Sequence, residues 1–198
     1  MKLILLLLFF PLILSSQQTT DKFIGDVTVQ WLNDGRSMRL KHEFSYIDPN
    51  GKLWKVPKNT IVDGASIPQA FWTIIGGPYE GKYRNASVIH DYHCDKKTEN
   101  WQDVHLMFYH ACITGGTSIT KAKIMYAAVY AGGPRWDVTI LKSGKEKIIT
   151  TTTATTSSNE MKEISEWIES TNPTLEEINS RLDGVVLETA PNRTQIKI

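Results

Sequence analysis

The chain has 198 residues, with 22 Lys and Arg against 21 Asp and Glu and a net charge of +1. That balance excludes the strong electrostatic attraction on which a nucleic-acid partner depends, so no nucleic acid is expected. The two cysteines, Cys94 and Cys112, are too few for a disulfide scaffold, and the length suffices for a domain with a real core.

The chain opens with Met1-Lys2, an apolar run from Leu3 to Leu14, and then Ser15-Ser16-Gln17-Gln18. One positive charge, a short apolar stretch and small residues in that order predict a removable signal peptide over residues 1–16. The run falls short of the ~20 residues of a membrane span and carries Pro11, so no stable membrane anchor is expected. The remainder is expected to be exported, periplasmic or extracellular.

From Phe23 to Val62 the residues are strand-like. Glu43 to Ile47 and Lys52 to Val56 flank Asp48-Pro49-Asn50-Gly51, in which Pro fixes φ and Gly permits a positive φ, so a β-hairpin is predicted. Gln69 to Ile75 reads as a short helix that starts behind Pro68 and ends at Gly76-Gly77-Pro78. Tyr83, Ala86, Val88, Ile89 and Tyr92 then recur at helical spacing, as do Trp101, Val104, Met107, Phe108, Ala111 and Cys112 in a second helix. Ser118-Ile119-Thr120 caps a third helix that runs to Tyr130 and is closed by Gly132-Gly133-Pro134.

Val138 to Leu141 and Glu146 to Thr150 form either a second hairpin or the entry to a flexible Thr/Ser-rich linker. Ile164, Trp167 and Ile168 mark an amphipathic helix, and Asn172-Pro173 opens another with Leu175, Ile178 and Leu182. Residues 190–198 carry no signal and are expected to fray. The fold class is therefore α+β: a β-hairpin layer packed on a three-helix core over 21–141, a Thr/Ser-rich hairpin or linker over 142–158, and a helical appendage and tail over 159–198.

Four of the five histidines lie between Gly76 and His110. If the first two core helices form an antiparallel hairpin turning near Lys97-Thr98, His90 and His105 stand at equal distance from the turn and face each other. Asp91 points about 100° away from His90, and Cys94 lies one turn further along the His90 face. His90 is the candidate base, with Asp91 and His105 as partners. Asp91 and loop carbonyls such as that of Gly77 are candidate ligands for a hard cation such as calcium. His90, Cys94 and His105 are instead a nitrogen and sulfur set suited to zinc. A buried histidine that only hydrogen-bonds a carbonyl is the alternative to both. Trp72, Trp101, Trp136, Tyr109 and Tyr126 fall on the apolar stripes and are expected in the core.

The block Asp63-Gly64-Ala65-Ser66-Ile67-Pro68, followed by Phe71-Trp72, Ile75-Gly76, His90-Asp91, Phe108-Tyr109-His110-Ala111 and Gly115-Gly116, resembles a phage-associated bacterial family whose function is unassigned. The resemblance runs from about Val56 to Trp136 and implies a role at the cell envelope. A weaker similarity is to phospholipase A2-type sites. It implies Gly76 to Gly81 as a calcium loop, His90 as the base and Asp91 as a calcium ligand. Two positions depart from that pattern: His105 stands where an orienting Asp belongs, and Cys94 where a Tyr belongs. The expected function is thus hydrolysis of an envelope component, lipid or peptidoglycan. The rival is a non-catalytic envelope binding protein of phage or prophage origin.

Overall fold

The computed structural model describes residues 20–64, 66, 68–77, 79–140, 146–153, 156–184 and 192–197. The expected leader, Ala65, Ile67 and the Ser143-Gly144 turn fall outside them.

Strands β1 (Lys22–Ile24), β4 (Phe44–Ile47) and β5 (Leu53–Val56) make one antiparallel sheet, and β2 (Val29–Trp31), β3 (Met38–Leu40) and β6 (Ile61–Val62) another. The predicted hairpin is the β4–β5 pair, in register from Phe44 opposite Val56 to Ile47 opposite Leu53. Its turn is fastened by Asp48, whose carboxylate accepts the Asn50 and Lys52 N–H groups, each at 2.9 Å, and the Trp54 indole N–H at 2.9 Å. Phe44, Tyr46, Trp54 and Val56 face inward, while Leu53 and Lys55 face out, the alternation of a half-buried strand.

The stretch after Pro68 divides into a 3-10 turn, Gln69–Phe71, and a single α-turn, α1 (Trp72–Ile75). Helices α2 (Arg84–Lys96), α3 (Trp101–Thr114) and α4 (Ile119–Gly132) form the predicted three-helix core, α2 packing on α3 and α3 on α4. Ser118 caps α4 by accepting the Lys121 N–H. Every residue of α4 from Ala122 to Gly132 is buried, which marks a helix covered on all sides.

What covers the outer side of α4 is the C-terminal pair α5 (Ser158–Thr171) and α6 (Leu175–Asp183). Each begins with a capping box, Ser157 with Glu160 and Thr174 with Glu177. Met161, Ile164, Ile168, Ile178 and Leu182 join the same apolar core as α2 to α4. Tyr126 and Tyr130 of α4 donate to Asn179 and Asp183 of α6, both at 2.8 Å. The helices expected as an appendage thus share the core.

Downstream of α4, β7 (Pro134–Ile140) and β8 (Glu146–Thr153) pair antiparallel, so the hairpin alternative is the one observed and most of the Thr run is strand. The tail, expected to fray, contributes β9 (Asn192–Lys197), which pairs with β8. Its partner lies more than 40 residues upstream, and such pairing leaves no local mark in the sequence. Among the described residues no helix is long and apolar enough to cross a membrane.

Candidate functional site

Helix α2 ends at Lys97, which adopts the left-handed conformation with φ 53° and reverses the chain into α3. This turn sets His90 opposite His105 as the sequence predicts. His90 Nε2 lies 2.8 Å from His105 Nδ1, and Cys94 Sγ lies 3.5 Å from the same Nε2. The three are sealed in: His90 is 1% exposed, Cys94 3% and His105 0%. Phe108 packs on the His90 ring with centroids 4.6 Å apart, and Trp101 meets the His105 ring edge-on at 5.5 Å.

Burial decides the charge states. It drives the His90 pKa well below the usual imidazole value, with His105 and then His93 adding repulsion. Burial first, and the Arg135 guanidinium second, push His105 down to about 3. Burial also raises the Cys94 thiol. The cluster therefore consists of two neutral imidazoles and a thiol.

Neutral rings leave a hydrogen-bonding problem. One proton lies between His90 Nε2 and His105 Nδ1, whichever ring carries it. In either tautomer His105 Nε2 is buried without an aligned partner, although the Pro134 backbone is near enough to favour a protonated ring. Leaving such a group unsatisfied costs about 1–3 kcal/mol.

Asp91 has a different task from the one its place beside His90 implies. It turns away from the imidazole and holds the loop of the Asp63–Pro68 block. Its Oδ2 accepts the N–H of Asp63 at 2.9 Å and of Gly64 at 3.0 Å, and its Oδ1 accepts the Ser66 hydroxyl at 2.9 Å and N–H at 3.3 Å. The Tyr79 hydroxyl approaches Oδ2 at 3.5 Å. With these donors aimed at both oxygens, a cation has no lone pair to approach. Gly77 is equally committed: its carbonyl accepts the Tyr83 hydroxyl at 2.7 Å, and its N–H donates to Glu80 at 3.3 Å.

Two cavities flank the Asp63–Ser66 loop. One of about 540 Å³ is lined by Ser66, Asp91 and Cys94, with Pro68, Lys97 and Pro134 around them. Cys94 is thus the member of the cluster that reaches an open space. The other, of about 570 Å³, lies between Trp31, Trp72, Arg36, Arg84 and Tyr79. Asp63 borders both.

Sequence reasoning missed Ser66 and Tyr79 as partners of Asp91, which no spacing rule connects across 25 and 12 residues. His93, which the sequence offers with Asp91 as a fourth ligand for zinc, is instead buried edge-on against Trp54 at 5.0 Å with both ring nitrogens unpartnered and its pKa pushed by burial to about 4. Gly133 is a further omission. A Cβ there would strike the Val129 carbonyl and sit 3.2 Å from His105 Cε1, so its glycine is a packing requirement and not only loop punctuation. Cys94 and Cys112 are both buried free thiols.

Fold and site together define an α+β protein in which a helical hairpin carries a buried imidazole, imidazole and thiol cluster beside a loop-walled cavity. Residues 38–129 match the model of the family described as "Protein of unknown function (DUF1353)", a segment that contains the whole cluster and its Asp91 clamp. Two proteins of Sinorhizobium fredii (strain NBRC 101917 / NGR234) are similar to about half of the chain. "Uncharacterized protein y4jT" is 55% identical over 97 residues, covering 49% of this chain and 29% of that protein. "Uncharacterized protein y4iH" is 43% identical over 103 residues, covering 52% of this chain and 43% of that protein. The matched region is thus under half the length of either relative. No solved structure matches the chain.

Proposed function

We propose that the protein is an exported hydrolase of an envelope component, lipid or peptidoglycan, whose reaction centre is the His90, Cys94 and His105 cluster. The observation that carries this reading is convergence: an imidazole and a thiol meet at one atom, His90 Nε2, and Cys94 opens on a cavity large enough for a substrate group. His90 is held neutral by its burial. His105 fixes its ring, and Asp91 shapes the cavity wall without touching the reacting groups. The leader over residues 1–16 supports export, and the block from Asp63 to Pro68 supports a phage or prophage origin. The test is hydrolysis of lipid vesicles and of purified peptidoglycan by wild type and His90→Ala. Activity that survives the substitution sinks the proposal.

A second reading has its own observation. His90 and His105 are 1% and 0% exposed, which suits a structural cluster inside a non-catalytic envelope-binding protein. On that reading wild type hydrolyses neither material, and His90→Ala lowers thermal stability while leaving sedimentation with vesicles or peptidoglycan unchanged.

A further inference from the structure

We propose that His90 Nε2, His105 Nδ1 and Cys94 Sγ are the protein ligands of a Zn²⁺ ion whose fourth coordination position opens to the cavity lined by Ser66 and Asp91. The proposal deepens the hydrolase reading, because both use one cluster, but it requires no reaction.

Geometry is the first support. All three ligand atoms lie within 4.8 Å of one another, with His90 Nε2 at 2.8 Å from His105 Nδ1 and 3.5 Å from Cys94 Sγ. Around a tetrahedral zinc with Zn–N of about 2.0–2.1 Å and Zn–S of about 2.3 Å, ligand atoms stand about 3.3 Å apart for N and N and about 3.5 Å for N and S. The Cys94–His90 edge already has this length, and the Cys94–His105 edge lies within 4.8 Å. The two rings need to separate by about half an ångström, which replacing their shared proton with a metal ion would do.

The second support is the hydrogen-bond ledger. Without a metal, His90 Nε2 and His105 Nδ1 must share a single proton, and His105 Nε2 is left without an aligned partner. Zinc on the two facing nitrogens takes the place of that proton and leaves His105 protonated on Nε2. A second-sphere carbonyl commonly accepts such a proton and orients a metal-bound histidine. Zinc uptake then releases one proton, from Cys94 Sγ, as the thiol becomes a thiolate.

The third support is the donor set. Two imidazoles and a thiolate are borderline to soft ligands that favour zinc over calcium or magnesium. The two residues that depart from the phospholipase A2-type pattern, Cys94 and His105, both bring a ligand atom to His90 Nε2. Taken together, they exchange an oxygen-rich surrounding for a nitrogen and sulfur one. Three protein ligands with an opening on one side are the arrangement of a catalytic zinc site, and here the side is set by Cys94, which borders the cavity.

The test uses the purified full chain, stripped with chelator and titrated with Zn²⁺ and separately with Co²⁺. Wild type is expected to take up one zinc per chain, to melt at a higher temperature with it, and to show the near-ultraviolet thiolate-to-cobalt band. Cys94→Ser abolishes that band and weakens zinc by at least about a hundredfold, whereas Cys112→Ser, at a buried thiol outside the cluster, keeps both. Absence of the band in wild type, or zinc affinity unchanged in Cys94→Ser, overturns the proposal. The wild-type spectrum decides even if the variant does not fold. A protein that shows the band yet hydrolyses no substrate keeps its metal site and loses the hydrolase reading; hydrolysis by a protein that takes up no zinc does the reverse.

Discussion

Asp91 accepts the backbone N–H of Asp63 at 2.9 Å, so a helix residue beside the candidate base holds a loop 28 residues upstream. Hydrogen bonds to a buried carboxylate contribute about 1.5–3 kcal/mol apiece, though not additively. Asp91→Asn keeps the shape but turns an amide N–H toward donor groups, and is expected to cost about 2–3 kcal/mol in urea unfolding. Ser66→Ala removes a single donor and is expected to cost about 1 kcal/mol. Equal effects from the two would show that the loop does not depend on the carboxylate.

The histidines predict a pH dependence in the metal-free protein. His93 and His105 have pKa values held at about 4 and about 3, and His90 is depressed as well, all from 6.5. As pH falls through 6.5 the unfolded chain takes up protons before the folded one does. Stability is therefore complete above about 6.5 and is lost towards 4, by up to about 1.4 kcal/mol per pH unit for each histidine. His93→Phe, which replaces a ring whose nitrogens have no partner, is expected to raise stability by about 1 kcal/mol at pH 5 and to flatten the slope. A urea midpoint that stays constant between pH 7 and pH 5 contradicts this account.

Gly132 is buried where a Cβ would lie 2.6 Å from Phe71 Cε2 and 2.9 Å from Pro68 Cγ. Gly132→Ala is expected to destabilise by about 1–3 kcal/mol through overpacking, despite alanine's better helix propensity. A rise in melting temperature would show that the 3-10 turn moves aside at little cost.

Removing everything after Thr156 strips Met161, Ile164, Ile168, Ile178 and Leu182 from the core. Each buried side chain of this kind is worth about 1.5–3 kcal/mol, so the loss rivals the ~5–15 kcal/mol that holds a whole domain together. The truncated chain is expected to lose its cooperative thermal transition and to bind hydrophobic dyes. A sharp transition in the truncated protein would restore the appendage reading.

Legibility in the sequence followed the range of the interactions. The β4–β5 hairpin, the three core helices and the meeting of His90 with His105 all come from spacing within about 20 residues, and periodicity and turn chemistry record it. The work of Asp91 was invisible because its donors belong to a distant loop and are mostly main-chain N–H groups, which every residue but proline carries. Place in the helix made Asp91 a partner of His90; hydrogen bonding made it a clamp. The tail strand β9 was hidden for the same reason, since its pairing partner lies far along the chain.

The Asp91 clamp also bears on how the protein can be altered. Because it grips Asp63 by its N–H, a proline at position 63 would break the grip whatever the rest of the loop does. Position 63 also borders both cavities, so a change of side chain there reaches the two at once.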